Sequence, residues 1–281
     1  MAADRLRSEL AGRGVAVTAV ETRPAAAADW MGGALDGAHA VVVVGGDGAV
    51  RLVAPAAAAR SVPLWHAPTG TENLFARAFG MRADAGAIVG ALEAGRMRAL
   101  DLGQANGEPF VLMASIGFDA DVVHELAAVR RGAISHLSYA APILRVARRW
   151  TPPRVRWRVD GEQEELGEGM VVIGNLPNYG VGLNPAASAV PDDGELDAVF
   201  LPARSALELA AWVPLLRLGL HQRHPKLRER RGRVIEVDCE PGSRVQLDGD
   251  AVHGSDGLVA LRATVDPGRL PVLLPAASAR V

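Results

Sequence analysis

Val41-Val42-Val43-Val44-Gly45-Gly46-Asp47-Gly48 reads as a strand that runs into a glycine-rich turn carrying one carboxylate. Four consecutive valines suit a strand buried on both faces, as in a parallel sheet. The three glycines remove every Cβ from the turn, so backbone N–H groups can approach an anion closely. A second turn, Pro68-Thr69-Gly70-Thr71-Glu72-Asn73, follows about one βα unit later. It places hydroxyls, a carboxamide and another glycine at the start of an expected helix, where anions are also favoured. Together the two turns resemble opposite walls of a nucleotide-phosphate pocket.

Outward from these turns, helix and strand alternate. Helices are expected over 3–13, 25–36, 49–60, 72–79 and 84–95, and strands over 15–20, 39–44 and 62–67. This order argues for an open, doubly wound parallel sheet with helices on both faces. Ligands of such sheets sit outside the carboxyl ends of the strands, where both glycine turns fall. The chain opens on a helix, whereas such domains usually open on a strand; a truncated start and a lost element both fit. After about residue 98 the pattern changes. Strands are expected over 99–103, 110–114, 154–159, 170–174, 196–201, 233–238, 244–247 and 257–265. A helical stretch over 119–150, interrupted near Gly132, and a helix over 204–219 separate them. The expected organisation is α/β, with a nucleotide-binding domain over 1–98 and an antiparallel, β-rich substrate domain over 99–281. The site is expected in a cleft between the two.

Composition narrows the function. The chain has 281 residues, is 49% hydrophobic and 22% charged, and has a net charge of −2. That balance gives no reason to expect nucleic acid as a partner. Arg223 to Arg233 is a local basic run, read as a solvated face that could steer the chain toward anionic headgroups. The single cysteine, Cys239, excludes an internal disulfide and fits a reducing compartment. The first ten residues lack a signal-peptide core, and no apolar run approaches the ~20 residues needed to cross a bilayer. A cytoplasmic protein with transient membrane contact is the expectation, and a homodimer is compatible with it.

Neither glycine turn is a Walker A loop, which ends Gly-Lys-Ser/Thr, nor a G-x-G-x-x-G dinucleotide fingerprint. Taken alone, Asp47 is equally well read as a helix cap, and Gly70 to Asn73 as a helix N-terminus with acidic first-turn residues. Asp193-Gly194 and Asp248-Gly249 are ordinary hairpin-turn pairs by themselves. Asp101 could simply accept a backbone hydrogen bond, Asp119 reads as a helix cap, and His66 as a structural histidine.

An ordered set of motifs is more specific than any member. Gly-Gly-Asp-Gly followed by Pro-x-Gly-Thr-x-Asn resembles the diacylglycerol kinase catalytic-domain family, which includes bacterial lipid kinases and sphingosine kinases, with NAD kinases as distant relatives. Leu100-Asp101-Leu102-Gly103, Ala114-Ser115-Ile116-Gly117-Phe118-Asp119-Ala120, Asp192-Asp193-Gly194-Glu195-Leu196-Asp197 and Val245-Gln246-Leu247-Asp248-Gly249-Asp250 resemble further family segments in the same order. The resemblance implies an ATP- and Mg²⁺-dependent lipid kinase whose partners are ATP and a lipid alcohol. It places the ATP phosphates over Gly45, Gly46, Asp47, Gly48, Gly70, Thr71 and Asn73, with Thr22 contacting the nucleotide. It implies a fold-supporting magnesium held by Asp193 and the carbonyls of Val190 and Glu195, with Asp101 as a further candidate. Asp250 would accept the proton of the lipid hydroxyl, with Asp47 organising the phosphates.

The chain departs from the family pattern at four points. Ala49 replaces a threonine after Gly-Gly-Asp-Gly, and Leu74 replaces an aspartate after Asn73. An Asn-Pro-x-Ser-Gly loop has no counterpart, and Asp-Gly-Asp stands for Asp-Gly-Glu, which shortens the base by one methylene. A kinase of the same fold acting on a soluble hydroxyl compound such as NAD, and a degenerate nucleotide- or lipid-binding module, are the alternatives.

Overall fold

The computed structural model describes residues 2–23, 25, 27–129, 139–252 and 258–276. The chain divides into two compact units, residues 1–102 with 268–281, and residues 103–267. No helix among the described residues is long and apolar enough to cross a membrane.

The first unit contains α1 (Ala2–Ala11), α2 (Ala27–Met31), β1 (Val41–Gly45), α3 (Asp47–Arg60), β2 (Leu64–Pro68), α4 (Leu74–Phe79), α5 (Ala85–Ala94) and most of β3 (Met97–Ala105). β1 and β2 pair in parallel, Val41 opposite Leu64 through Gly45 opposite Pro68. The strand expected over 15–20 does not form: its residues are almost all exposed and pair with no strand among the described residues. Alternation supplies a pattern, but a strand without a partner cannot satisfy its backbone. The valine run is also less buried than its composition suggests. Only Val43 is buried, because among the described residues β1 pairs with β2 alone and lies at the sheet edge. β2 carries the buried side chains instead, with Leu64, Trp65 and His66 all fully enclosed.

The second unit contains β4 (Glu108–Phe110), β5 (Met113–Ile116), α6 (Phe118–Val129), α7 (Ala140–Arg149), β6 (Arg154–Val159), β7 (Glu162–Gly174), β8 (Leu196–Pro202), α8 (Ala206–Ala210), α9 (Trp212–Arg217), β9 (Arg228–Gly232), β10 (Val234–Ser243), β11 (Val245–Leu247), β12 (Asp250–Ala251) and most of β13 (Leu258–Leu273). Its strands pair antiparallel in two sheets. β13, β10, β6 and the first half of β7 form one, and β9, β8, the second half of β7, β5, β11 and β12 the other. β7 serves both because its pairing with β6 slips by one residue beside Gly167, a β-bulge that bends the strand. Between the sheets, Phe110, Trp157, Phe200, Ile235, Leu247 and Leu261 build the core. The helix over 204–219 is two short helices, and the basic run contains an unexpected edge strand, β9, which pairs with β8. The break near Gly132 and the start of the strand at 257 lie outside the described residues.

Candidate functional site

In the first unit the two glycine turns touch. A Cβ built on Gly70 would stand 2.7 Å from the Gly46 Cα, and one built on Gly46 would stand 3.4 Å from the Gly70 Cα. Parallel pairing of β1 with β2 ends both strands at the same level, so the turns leave the sheet side by side. The Thr69 N–H donates to the Gly45 carbonyl at 2.8 Å, and His66 Nε2 lies 2.9 Å from the same oxygen. A carbonyl accepts only from a protonated nitrogen, so His66 carries its proton on Nε2. Burial lowers its pKa and keeps the ring neutral.

Asp47 ties the turns together. Its Oδ2 accepts the Leu74 N–H at 2.9 Å and its Oδ1 the Phe75 N–H at 3.0 Å. The carboxylate of the first motif thus caps α4, the helix that follows the second, and favours the positive end of its dipole. Asn73 adopts a left-handed backbone (φ 49°). It closes its own turn, with Oδ1 accepting the Gly70 N–H at 2.9 Å and Nδ2 donating to the Gly70 carbonyl at 2.7 Å. Leu74, where the family pattern has an aspartate, supplies its N–H to the clamp. Next to the strand ends lies a cleft of about 510 Å³ lined by Arg5, Leu6, Val44, Thr69 and Asp84. Thr22 is exposed on an irregular segment. Asp101 is buried on β3, and its Oδ1 accepts the Gly268 N–H at 2.7 Å.

In the second unit, the turn between β11 and β12 is held from two sides. Asp248, in a left-handed conformation, is buried, and its carboxylate accepts the N–H groups of Val111, Leu112 and Met113 at 2.7, 2.8 and 2.8 Å. Gln246 Oε1 accepts the Gly249 N–H at 2.7 Å, while its Nε2 donates to Ser115 Oγ at 2.8 Å and to Asp119 Oδ2 at 3.2 Å. Asp119 also accepts from Ser115, Tyr179 and its neighbour's backbone Ala120 N–H. Burial outweighs these donors and pushes the Asp119 carboxyl above its usual range. Asp250, half-buried, follows directly on this braced turn. Asp119 and Gln246 are therefore supports of the Asp250 segment that the sequence reading did not assign. The four-residue spacing of Ser115 and Asp119 was the one local signal.

Asp193 lies in a different environment. Its Oδ1 accepts the Glu195 N–H at 3.1 Å, and its Oδ2 is 3.3 Å from Arg231 Nη1. Arg231 also lies 3.4 Å from Asp197 and 3.9 Å from Glu195, and donates to the Ser188 carbonyl at 3.0 Å. Strand register dictates this: Arg231 on β9 sits directly opposite Asp197 on β8. Val190 is exposed in the preceding loop. A magnesium ion needs several oxygens at roughly 2.0–2.1 Å. The carboxylate oxygens of Asp193, Glu195 and Asp197 already face a guanidinium, whose charge would repel the ion at close range. The turn does not fit a bound magnesium. Among the described residues, no group of three His, Cys, Asp or Glu is placed to hold a metal.

Comparison with known proteins follows the same division. Residues 1–105 match the family described as diacylglycerol kinase catalytic domain, and residues 113–274 match the YegS C-terminal NAD kinase beta sandwich-like domain. The "Probable lipid kinase YegS-like" of Pseudomonas syringae pv. tomato is 34% identical over 247 residues, covering 85% of this chain and 76% of the relative. The "Diacylglycerol kinase" of Mycobacterium tuberculosis H37Rv is 30% identical over 225 residues, covering 76% of this chain and 71% of the relative. A crystal structure of a diacylglycerol kinase from Bacillus anthracis shares the fold, with a TM-score of 0.65 at 20% identity over 92% of this chain and 85% of that one. The α/β first unit, the antiparallel second unit and the ordered motifs thus have one explanation: the chain belongs to the diacylglycerol kinase and YegS-like lipid kinase family.

Proposed function

We propose that the chain is an ATP-dependent kinase that phosphorylates the hydroxyl of a lipid alcohol such as diacylglycerol. The observation that carries this reading is the interlock of the two glycine turns, Gly46 against Gly70 with Asp47 across them. Phosphoryl transfer asks a protein for alignment and charge neutralisation more than for covalent help. The Gly45, Gly46 and Gly48 backbone and the Thr71 hydroxyl bind phosphate oxygens, Gly70 lets the two turns close because it lacks a Cβ, and Thr22 serves the nucleotide. Asp47 and Asn73 act as positioning residues, because their polar atoms hold the turns. Magnesium, when bound with ATP, would neutralise phosphate charge, and the carboxylates of Asp47 and Asp101 are the candidates to meet it or its waters. The Asp193 turn needs no ion, since Arg231 already serves it.

In the second unit Asp250 accepts the proton of the lipid hydroxyl. The alcohol oxygen bonds to the γ-phosphorus as the bond from that phosphorus to the β–γ bridging oxygen breaks. ADP leaves with the bridging electron pair. A general base of this kind contributes about 10²–10⁴-fold. Incubating the full chain with labelled ATP and dioctanoylglycerol tests the reading. Asp250→Asn should lower turnover by at least ~100-fold while leaving ATP affinity unchanged. Full turnover in that variant removes the assigned base. Tight ATP binding without phosphorylation of any lipid alcohol overturns the kinase reading.

A further inference from the structure

We propose that His66 is a positioning residue of the first glycine turn, holding the Gly45 carbonyl so that the Gly46 N–H faces a phosphate oxygen. The purpose of this grip rests on the nucleotide-binding reading above, whereas its geometry does not. Within β2, Leu64, Trp65 and Ala67 are hydrophobic and fully enclosed, and His66 is equally enclosed. Parallel register sets Val43 opposite His66, and the ring reaches two residues further along β1, to its last residue. There Nε2 lies 2.9 Å from the Gly45 oxygen, which also accepts the Thr69 N–H at 2.8 Å. A carbonyl oxygen has two lone pairs, so both are engaged, one by β2 and one by the turn that follows it. A trans peptide is planar, with its C=O and N–H pointing opposite ways, and no peptide bond among the described residues is cis. Two donors that fix the Gly45 oxygen therefore also fix the Gly46 N–H on the far side of the same plane. The Gly46 nitrogen stands at the seam of the two turns, 3.4 Å from where a Cβ on Gly70 would lie. Gly46 is also the N-cap of α3, so this peptide opens a helix whose first N–H groups favour anions.

A histidine kept for packing alone would satisfy both ring nitrogens or stay partly in water. His66 does neither. Its Nδ1 is buried and has no hydrogen-bond partner among the described residues, a cost that an apolar side chain in the same place would avoid. The ring's one hydrogen bond goes to the turn. Its neighbours keep it there: the ring lies 6.2 Å from that of Phe75, tilted by 48°, and the His66 N–H donates to Met81 Sδ at 3.2 Å. Phe75 is also a residue whose N–H Asp47 accepts. Its ring thus backs the histidine while its backbone holds the carboxylate that follows Gly46. His66 and Asp47 brace the turn from two directions, one through the Gly45 oxygen and the other through α4, and neither needs to touch the nucleotide.

His66→Gln and His66→Met test this, with ATP titrated onto the full chain in the absence of lipid. The two replacements have nearly the same length and volume, but only glutamine carries an N–H where Nε2 stood. His66→Met should weaken ATP binding by at least ~10-fold, as a buried carbonyl loses one of its donors, and His66→Gln should recover most of that loss. In assays with dioctanoylglycerol the loss should fall on KM for ATP and leave KM for the lipid unchanged. A packing role predicts the opposite order, with methionine the better replacement among apolar neighbours. Equal ATP affinity in the two variants, or wild-type affinity in His66→Met, overturns the proposal, as does a wild type that binds no ATP. Should His66→Met fail to fold, NMR on the wild type decides: ATP should shift the Gly46 amide and His66 Nε2–H resonances, and an unmoved pair overturns the assignment. A wild type that binds ATP in this way yet phosphorylates no lipid alcohol sinks the kinase reading and leaves the role of His66 standing.

Discussion

Replacing Gly70 with alanine tests the central geometry. The new Cβ would stand 2.7 Å from the Gly46 Cα and 3.0 Å from Asn73 Oδ1, whereas ordinary contact begins near 3.4 Å. The first neighbour is backbone and cannot rotate away, so the turns must part by about 0.7 Å. Overpacking of this kind costs about 1–3 kcal/mol, a fall of roughly 2–5 °C in Tm for a chain of this size. A misplacement of ~1 Å at a reacting centre can cost ~100-fold, so kcat/KM for ATP should fall roughly 10- to 100-fold. The converse change is milder for folding, because a Cβ on Gly46 would stand 3.4 Å from the Gly70 Cα. Gly90→Ala, in α5 with its nearest neighbour at 3.9 Å, is the control and should be neutral or slightly stabilising. Calorimetry on the three variants together with ATP titration decides the matter. If Gly70→Ala melts with the wild type, or Gly46→Ala falls as far as Gly70→Ala, the contact does not constrain the turns and the reasoning fails.

Three other outcomes are expected. Asp248→Asn turns an amide group toward three backbone donors and should cost about 2–4 kcal/mol in chemical denaturation, with a loss below ~0.5 kcal/mol counting against the bracing of the β11–β12 turn. Asp121 has its carboxyl pushed up to about 6, mainly by burial, with Asp119 adding to the shift and Arg244 opposing it. Its folded pKa exceeds the unfolded one, so its stabilisation is full below about pH 4 and is lost as pH rises through about 6. Asp121→Asn should therefore be more stable than wild type at pH 8, by at most ~3 kcal/mol, and converge with it near pH 4; parallel pH–Tm curves would refute the assignment. Chelation by EDTA should leave the wild-type Tm unchanged, because Arg231 occupies the Asp193 cluster, while Arg231→Met should lower Tm; a chelator-sensitive wild type would restore the metal to that turn.

Much of this was legible because it is local. The strand into Gly45-Gly46-Asp47-Gly48 and the turn at Gly70 carry their glycines in sequence, and the parallel pairing that joins them follows from the βα repeat. The clamp was not legible. Asp47 looks like a cap for the helix it begins, and only the fold brings α4 to it across 27 residues. Arg228 to Gly232 has no apolar alternation, since a charged edge strand buries little. The polar first half of β7 was missed for the same reason. Residues 15–20 show the reverse error, because alternation cannot report whether a neighbouring strand exists. Asp119 read as a cap because Tyr179 and Gln246 reach it from 60 and 127 residues away.

β13 has a consequence for synthesis. Its last residues return to the first unit, where Val272 lies in register with Leu64, and the Leu274 N–H donates to the Arg96 carbonyl at 2.8 Å just beyond it. A ribosome delivers Leu64 some two hundred residues before its neighbour. Until then the flank of β2 is a bare template for any passing strand, in a unit that would otherwise be ready to fold as it emerges. Nascent chains stalled at Pro267 should therefore be cut by protease within the leading hundred residues, and releasing the final fourteen should seal them.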